Sequence, residues 1–156
     1  MKVTVAIVGA KRVLPLRWEV LRPGLPPEAA QFEGDEDLTT WHFAAFSPQN
    51  QVVGVASYFL APFPWHAVRR PYRLRGMATH PAYQRRAGVG RQLLTQSLAF
   101  LQRQGVDGVW CYARLEAVPF YQKMGFTWVE EAGLVDLPGV GPHRVGYLIL
   151  SQRVQP

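Results

Sequence analysis

The spacing of hydrophobic positions along the chain predicts a regular succession of strands and helices. Segments in which apolar and polar residues alternate, or in which β-branched and aromatic residues run together, indicate strands. These predicted strands cover residues 3–8, 38–46, 52–60, 72–79, 108–113, 126–131 and 143–150. Apolar positions three and four residues apart indicate helices at 9–22, 88–105 and 115–124. The segment 132–142, rich in glycine and proline, is predicted to be a loop.

The order of these elements is β-α-β-β-β-α-β-α-β-β, which predicts a mixed α/β fold with helices packed on a mixed sheet. The first helix is expected to bury Leu14, Trp18 and Leu21 on one face, with Pro15 in its first turn. Gly76 falls inside a predicted strand. A glycine there predicts a bulge or a close approach of another group to the backbone.

Length and composition are those of a globular chain. At 156 residues it is expected to form one domain, residues 1–156, and its hydrophobic fraction of 48% is ordinary for a soluble protein. No apolar run approaches the ~20 residues of a membrane span. The first residues alternate like a strand, so no signal peptide is expected. The single cysteine, Cys111, excludes an internal disulfide and fits a reducing cytoplasm, and its strand-like setting indicates a buried structural thiol.

The net charge of +6 is unevenly distributed. No Asp or Glu occurs between Leu38 and Val106, whereas four acids cluster just before that span. The acids of this cluster are Glu33, Asp35, Glu36 and Asp37. The span itself contains the arginines Arg69, Arg70, Arg73, Arg75, Arg85, Arg86, Arg91 and Arg103. This distribution favours an anionic partner, and nucleic acid, a nucleotide-like cofactor and an acidic lipid surface all satisfy it.

The segment RRAGVGR (85–91) concentrates this charge at the start of the long helix. The first amides of a helix have no partners within it and carry partial positive charge. Gly88 and Gly90 allow close approach to that backbone, so the segment is typical of a phosphate cradle. Neither GxxxxGK[ST] nor GxGxxG followed by an acid is present, which predicts a diphosphate bound without a metal ion. The histidines are scattered, and no metal site is predicted.

Two motifs together resemble those of the GCN5-related N-acetyltransferase (GNAT) family. The first is R-x-x-G-x-G, from Arg85 to Gly90, and the second is ARLEAVPFYQKMGF (113–126). The second follows the family pattern Asn-x-x-Ala-x-x-Phe-Tyr-x-Lys-x-Gly-Phe, except that Arg114 replaces the Asn. The matching residues are Ala117, Phe120, Tyr121, Lys123, Gly125 and Phe126. The segments LRWEVLRPG and GVGPH are also similar to a bacterial ElaA-like subgroup.

This resemblance implies an acyl-CoA N-acyltransferase fold, with a mixed sheet of six or seven strands that splays at the central strands. Acetyl-CoA would be the co-substrate, without a metal. Its pantetheine arm would bond to backbone groups of the fourth strand, and its diphosphate would lie on the glycine turn. The residues implied in binding are Met77, Ala78, Thr79, Arg85, Arg86, Ala87, Gly88, Val89, Gly90 and Arg91.

The implied reaction is attack of a primary amine on the thioester within a ternary complex. Tyr121 occupies the family position of the general acid, and a tyrosine with a pKa of about 10 is protonated at neutral pH. A backbone N–H of the fourth strand, such as that of Met77, would polarise the thioester carbonyl. The general base is left open. The candidates for this role are a water chain, one of His42, His80 and His143, and an acid of the 33–37 cluster. That cluster would also attract a cationic amine.

Other functions remain open from the sequence. A catalytically silent acyl-CoA-binding protein would share the same cradle, and an enzyme of this fold could transfer the acyl group to oxygen. A nucleic-acid-binding module fits the charge, although no such motif is present. The expected partners are acetyl-CoA and an amine-bearing acceptor, small molecule or protein, in the cytoplasm, with no nucleic acid and no membrane. The oligomeric state, a homodimer included, is open.

Overall fold

The structure is a computed structural model and describes residues 1–85 and 87–150. Its strands are β1 Thr4–Val8, β2 Trp41–Phe46, β3 Val52–Leu60, β4 Pro71–Thr79, β5 Gly108–Arg114, β6 Thr127–Trp128, β7 Leu134–Leu137 and β8 Gly141–Ile149. Its α-helices are α1 Ala10–Leu21, α2 Val89–Arg103 and α3 Val118–Lys123. The expected mixed α/β class is confirmed, with eight strands in place of six or seven.

Hydrogen bonds join the strands in the order β1-β2-β3-β4-β5-β8-β6, and β7 pairs with β8. β4 and β5 run parallel, whereas β2 is antiparallel to β1 and β3, and β8 is antiparallel to β5, β6 and β7. The chain divides into two compact units, residues 1–59 with 74–100 and residues 60–73 with 101–156. That residues 1–156 act as one domain stays a prediction.

In the first unit, α1 packs its apolar face on the sheet. Val13 and Leu16 form a buried cluster with Ala44 of β2, Val55 of β3 and Ala78 of β4. The stripe on α1 expected from the sequence was wrong, because Trp18 is 38% exposed while Arg17 is fully buried. A pattern of apolar residues cannot indicate a buried arginine, because arginine counts as a polar position.

Two further details of the first unit differ from the sequence expectation. Pro15 lies in the second turn of α1, which begins at Ala10, and not in its first turn. The side chain of Pro15 is exposed, so its ring faces solvent and not the core. The strand expected at 38–46 is shorter, because β2 begins at Trp41.

Helix α2 follows the predicted apolar period. Val89, Leu93, Leu94 and Leu98 are all at most 1% exposed. Such a row of aliphatic side chains at three- and four-residue spacing buries one face of a helix on a sheet. The start of α2, which carries the candidate cradle, is therefore held by its own core residues.

The second unit begins where β4 pairs with β5. Their parallel ladder consists of three residue pairs, in which Pro71–Arg73 face Gly108–Trp110. β5 then pairs with β8 along its whole length, from Gly108 opposite Ile149 to Arg114 opposite His143. Trp110 of β5 lies in an apolar cluster. That cluster also contains the buried residues Phe63, Val129 and Val145.

The prediction of a loop over 132–142 was wrong in part. Leu134–Leu137 form β7, which pairs with β8 from Leu134 opposite Arg144 to Leu137 opposite Gly141. Four residues beside a proline and two glycines give too little periodicity to be recognised as a strand. The strand expected at 126–131 is reduced to Thr127–Trp128, followed by a 3₁₀ turn at Glu130–Ala132.

Three ionisable groups of this unit have shifted pKa values, and burial lowers that of Arg73. Burial raises the pKa of the Cys111 thiol to about 12, although the charge of Arg73 and a backbone N–H hydrogen bond from Gly146 partly counteract it. This agrees with the expected structural thiol. Burial alone would raise the pKa of Asp107, but backbone N–H donors, including those of Arg69 and Arg70, outweigh it and lower that pKa.

Candidate functional site

The glycine turn before α2 has the backbone shape of a helix cap. The Gly88 carbonyl accepts the backbone N–H of Gln92 at 3.0 Å, which closes the first turn of the helix. Gly88 has a φ of 67°, a left-handed conformation that glycine adopts without strain. Arg85 also has a φ of 67°. The N–H groups that follow Gly88 begin the helix, where such groups have no intrahelical acceptor.

The side chain of Gln92 ties this turn to the chain terminus. Its Oε1 accepts the N–H of Val3 at 2.9 Å, and its Nε2 donates to the carbonyl of Met1 at 2.8 Å. The same Nε2 lies 3.3 Å from the carbonyl of Gly88 and 3.4 Å from that of Ala87. The sequence analysis did not single out Gln92, because a glutamine in the first helical turn carries no signal of a contact 91 residues away.

Arginine side chains flank the glycine turn. Arg85 and Arg91 are exposed. Nη2 of Arg91 lies 3.5 Å from the position that a Cβ on Gly88 would occupy, so this guanidinium stands beside the glycine backbone. Arg86, also predicted to contact the diphosphate, lies outside the described residues. The two described arginines and the free helical amides give this turn a local excess of positive charge.

The side chain of Val89 has another role. It is 1% exposed and lies against β3, where a Cβ added to Gly54 would stand 2.9 Å from Cγ1 of Val89 and 3.3 Å from Leu93. Of the predicted cradle residues, Val89 can therefore offer a ligand only its backbone. Gly54, which the sequence analysis did not single out, lets the start of α2 approach β3 this closely.

The second predicted part of the site is the end of β4. Ala78 points its methyl group into the core, whereas Met77 and Thr79 are half-buried. The carbonyl of Thr79 accepts a hydrogen bond from Nε2 of Gln84 at 2.9 Å. Of the backbone groups assigned to the pantetheine arm, the Thr79 carbonyl is thus already engaged by a protein side chain.

Gly76 precedes these residues and has a φ of 69°. The close approach predicted there is confirmed, but the approaching groups belong to the protein. A Cβ on residue 76 would lie 2.8 Å from Nε of Arg17 and 3.0 Å from Cε2 of Phe32. Real Cβ atoms essentially never approach as closely as the first distance, and the second is tighter than nine in ten real Cβ contacts, so this strand position requires glycine for space as well as for conformation.

Arg17 is the centre of a buried polar network. Its Nη1 donates to Oδ2 of Asp35 at 2.8 Å and to the Ala30 carbonyl at 2.7 Å. Its Nη2 donates to Oδ1 of Asp35 at 3.1 Å and to Oγ of Ser57 at 2.9 Å. Oδ2 of Asp35 also accepts the N–H of Phe32 at 2.8 Å. Asp35 is 9% exposed, so the proposal that it faces an acceptor was wrong, while Glu33, Glu36 and Asp37 are exposed.

The three histidines considered as general bases are held differently. His42 lies 2.8 Å through Nε2 from the Asp35 carbonyl and 2.7 Å through Nδ1 from Oγ of Ser57. Since a carbonyl only accepts, Nε2 carries the proton and Nδ1 accepts from the serine hydroxyl. Both ring nitrogens are thus engaged, and His42 is structural. Nδ1 of His80 accepts the N–H of Ala82 at 3.1 Å, which also occupies its lone pair.

His143 keeps the features of a base. It is 3% exposed, and its Nδ1 lies 2.7 Å from the Gly141 carbonyl, to which it donates. In the neutral ring the lone pair is therefore on Nε2.

Tyr121, the predicted general acid, lies in the second unit on α3. It is 9% exposed, and its ring packs 5.2 Å, centroid to centroid, from both Phe120 and Phe126. Its carbonyl accepts the N–H of Phe126 at 3.0 Å, which ends the helix at the glycine between them. The packing fixes the ring within this unit. Its catalytic role stays a prediction.

The comparison with known proteins identifies the family. The model of the acetyltransferase (GNAT) family matches residues 11–126. The chain belongs to the GNAT family. It is 31% identical over 146 residues to the uncharacterized N-acetyltransferase YitI of Bacillus subtilis, covering 94% of this chain and 95% of that protein. The protein is thus an acyl-CoA-dependent acetyltransferase, as the motifs implied.

Solved structures of this GNAT acetyltransferase fold superpose on the chain. Escherichia coli ElaA matches with a TM-score of 0.72 at 18% identity, covering 94% of this chain and 99% of ElaA. An aminoglycoside 6'-N-acetyltransferase complexed with coenzyme A matches with a TM-score of 0.73 at 12% identity, covering 97% and 99% of the two chains. At these identities the likeness is one of fold.

Membrane-spanning helices and grouped metal ligands are two further features to consider in the described residues. No helix of the described residues is both long and apolar enough to cross a membrane. Within residues 1–85 and 87–150, no three His, Cys, Asp or Glu side chains are grouped as a metal site would require.

Proposed function

We propose that the protein transfers the acetyl group of acetyl-CoA to a primary amine by direct attack in a ternary complex. The observation that carries this proposal is the turn at Arg85–Arg91. It combines a left-handed glycine at position 88, the first amides of α2 and the exposed guanidinium groups of Arg85 and Arg91. These are the features that bind a diphosphate without a metal ion. Gln92 and Val89 hold the turn in place from either side.

The proposed binding residues fall into two groups, those that would donate backbone N–H groups and those that would contribute charged side chains. Ala87, Gly88, Val89 and Gly90 would present backbone N–H groups to the diphosphate, and Arg91 would add a full charge from the side. Arg86, which lies outside the described residues, would take the same role as Arg91, and Arg85 would supply further charge. Met77–Thr79 lie beyond the three residue pairs of the β4–β5 ladder. We propose that backbone groups of this segment bond the pantetheine arm, apart from the Thr79 carbonyl, which Gln84 engages.

The chemistry requires a bond from the amine nitrogen to the thioester carbon and cleavage of the carbon–sulfur bond. The N–H of Met77 would stabilise the oxyanion that develops on the carbonyl oxygen. Tyr121 would give its phenolic proton to the departing thiolate. The amine must lose one proton, and His143, with its Nε2 lone pair, is the residue that we propose to receive it. Holding both reactants in one geometry supplies much of the acceleration.

Calorimetry with coenzyme A tests the cradle. The wild type should bind, and Gly88→Ala should weaken binding by about 5- to 30-fold, because alanine relaxes the turn out of its left-handed conformation and restoring that conformation for the ligand costs about 1–2 kcal/mol. Gly133→Ala is the matched control. Its φ is also positive, at 60°, so alanine is strained there too, but a Cβ there meets no atom within 4 Å. Equal affinities in all three proteins would contradict the proposal.

Thiol release from acetyl-CoA across a panel of primary amines tests the reaction. Release that depends on one of the amines supports transfer to nitrogen. Binding of coenzyme A without release with any amine would instead establish the silent acyl-CoA-binding protein. Salt-dependent DNA binding, with no heat on addition of coenzyme A, would establish the nucleic-acid module.

A further inference from the structure

The Arg17 guanidinium connects three separate segments of the first unit. It belongs to α1 and is fully buried. Its two terminal nitrogens bond to Ala30 and Asp35 in the loop before β2 and to Ser57 in β3. Its Nε faces Gly76 of β4, at 2.8 Å from where a Cβ would stand. A single side chain thus sets the distances between the helix, the loop and both strands.

Phe32 contacts the same charge and a second one. The guanidinium carbon of Arg17 lies 4.0 Å from the centroid of the Phe32 ring, and that of Arg75 lies 3.9 Å from it. Arg75 immediately precedes Gly76 on β4. The ring of Phe32 also comes within 3.0 Å of the missing Cβ of Gly76. The loop is therefore attached to β4 both through Arg17 and through Arg75.

The hydrogens of the network have one consistent arrangement. The Ser57 hydroxyl accepts from Arg17 and so donates to Nδ1 of His42, whose Nε2–H donates to the Asp35 carbonyl. Each bond fixes the direction of the next. The bonded groups of this buried network specify one geometry more strictly than apolar packing does, while Nε of Arg17, which faces Gly76, has no hydrogen-bond partner among the described residues.

We propose that Arg17 is a positioning residue for acyl transfer: it fixes Gly76 of β4 and the 30–37 loop against each other. This inference rests on the proposed function, in which the residues after Gly76 hold the thioester. A buried ion pair is a poor source of stability compared with apolar residues of the same volume. Its value here is geometric, since a misplacement of 1 Å at reacting groups can reduce a rate by about 10²-fold.

The test replaces Arg17 by lysine and measures binding and turnover separately. Lysine keeps the charge but cannot bond Asp35 through two nitrogens while also bonding Ser57 and contacting Gly76. We expect the Kd of coenzyme A to change by less than about threefold, because its diphosphate binds to the cradle on a different segment and only its pantetheine arm contacts the residues after Gly76. We expect kcat, with an amine that the wild type acetylates, to fall by at least about tenfold. The melting temperature is recorded to confirm that the variant is folded at the assay temperature.

Arg12→Lys is the matched control. Arg12 is an exposed arginine of the same helix, and its guanidinium lies 5.3 Å from the Phe46 ring centroid. It should keep kcat, Kd and the melting temperature of the wild type. If Arg17→Lys is unfolded, Phe32→Leu tests the same attachment by removing the ring that both Arg17 and Arg75 contact, and it should show the same loss of kcat with retained Kd.

A folded Arg17→Lys variant with kcat within about twofold of the wild type would overturn the positioning role while leaving the proposed function intact. If Phe32→Leu is used instead, a kcat within about twofold of the wild type would likewise overturn the positioning role. If the wild type itself bound no coenzyme A, or acetylated no amine, the proposed function would fail and this inference with it. A fall in coenzyme A affinity equal to the fall in kcat would also overturn it, since Arg17 would then support the cradle.

Discussion

Gly54→Ala should loosen the cradle from its support on β3. The added Cβ would stand 2.9 Å from Cγ1 of Val89, 3.3 Å from Leu93 and 3.5 Å from Ala45. A carbon–carbon contact of 2.9 Å is far inside the optimal separation of about 3.5–4.0 Å, so α2 or β3 must shift. Overpacking of this kind typically costs about 1–3 kcal/mol. Because Val89 begins α2, the shift would move the amides of the glycine turn.

Urea unfolding and calorimetry measure the two consequences. We expect the free energy of unfolding to fall by about 2 kcal/mol and coenzyme A to bind more weakly. Gly9→Ala is the control, because a Cβ on Gly9 meets no atom within 4 Å. It should leave the affinity unchanged.

A second substitution decides whether the contact with Val89 is the cause. Val89→Ala removes the two methyl groups, including the one that the new Cβ would meet. Alone it should cost about 2 kcal/mol through lost burial and a cavity. In the double variant Gly54→Ala/Val89→Ala the new Cβ occupies part of that cavity. The loss of unfolding free energy in the double variant should then be smaller, by about 1–2 kcal/mol, than the sum of the losses in the two single variants. Strict additivity would refute the reasoning.

Three other predictions concern the second unit. Asp107→Asn should lower stability at pH 7 by about 1 kcal/mol, since the carboxylate accepts the N–H groups of Arg69 and Arg70, each at 2.8 Å, at a site exposed to solvent. The lowered pKa of Asp107 stabilises the fold above the ordinary aspartate range, so the difference in urea midpoint should shrink as the pH falls through that pKa. Cys111 should not react with a thiol reagent at pH 8 until urea is added, because its pKa is raised to about 12; labelling of the native protein would contradict its burial. Tyr121→Phe should reduce kcat by about 10²-fold with coenzyme A affinity unchanged, and an unchanged kcat would remove Tyr121 as the acid.

Elements with strong local signals were predictable from the sequence. The apolar run of β3 was predicted with the bounds that the structure has, and β4 begins one residue before its predicted start. Helix α2 carries its apolar residues at regular spacing and begins at a glycine turn, so its position was also correct. The family motifs could be recognised for the same reason, because each is a contiguous segment with its own chemistry. The short β7, which exists only by pairing with β8, had no such signal.

What could not be predicted depends on contacts between distant residues. Arg17 looks like a solvated helix residue until Asp35 and Ser57 are brought beside it, and the acidic cluster looks uniform until Asp35 is buried in that pair. Gln92 gains its role only when the chain terminus reaches it. These residues hold the predicted site groups in position but carry none of the motif chemistry, so a motif search passes over them.

The cradle therefore separates into a recognition part and a support part, and the two have different sequence requirements. In the proposed site, Gly88 and Arg91 would act on a ligand through local conformation and charge, which any similar turn would have. Val89, Gln92 and Gly54 determine where that turn stands, through a buried contact and hydrogen bonds to the terminus. A change in the support part moves amides that are chemically intact, so it should alter coenzyme A affinity without altering the charge of the site. The affinity for coenzyme A measured at several salt concentrations distinguishes changes in the recognition part from changes in the support part. Only the loss of an arginine should change how steeply the affinity falls with salt.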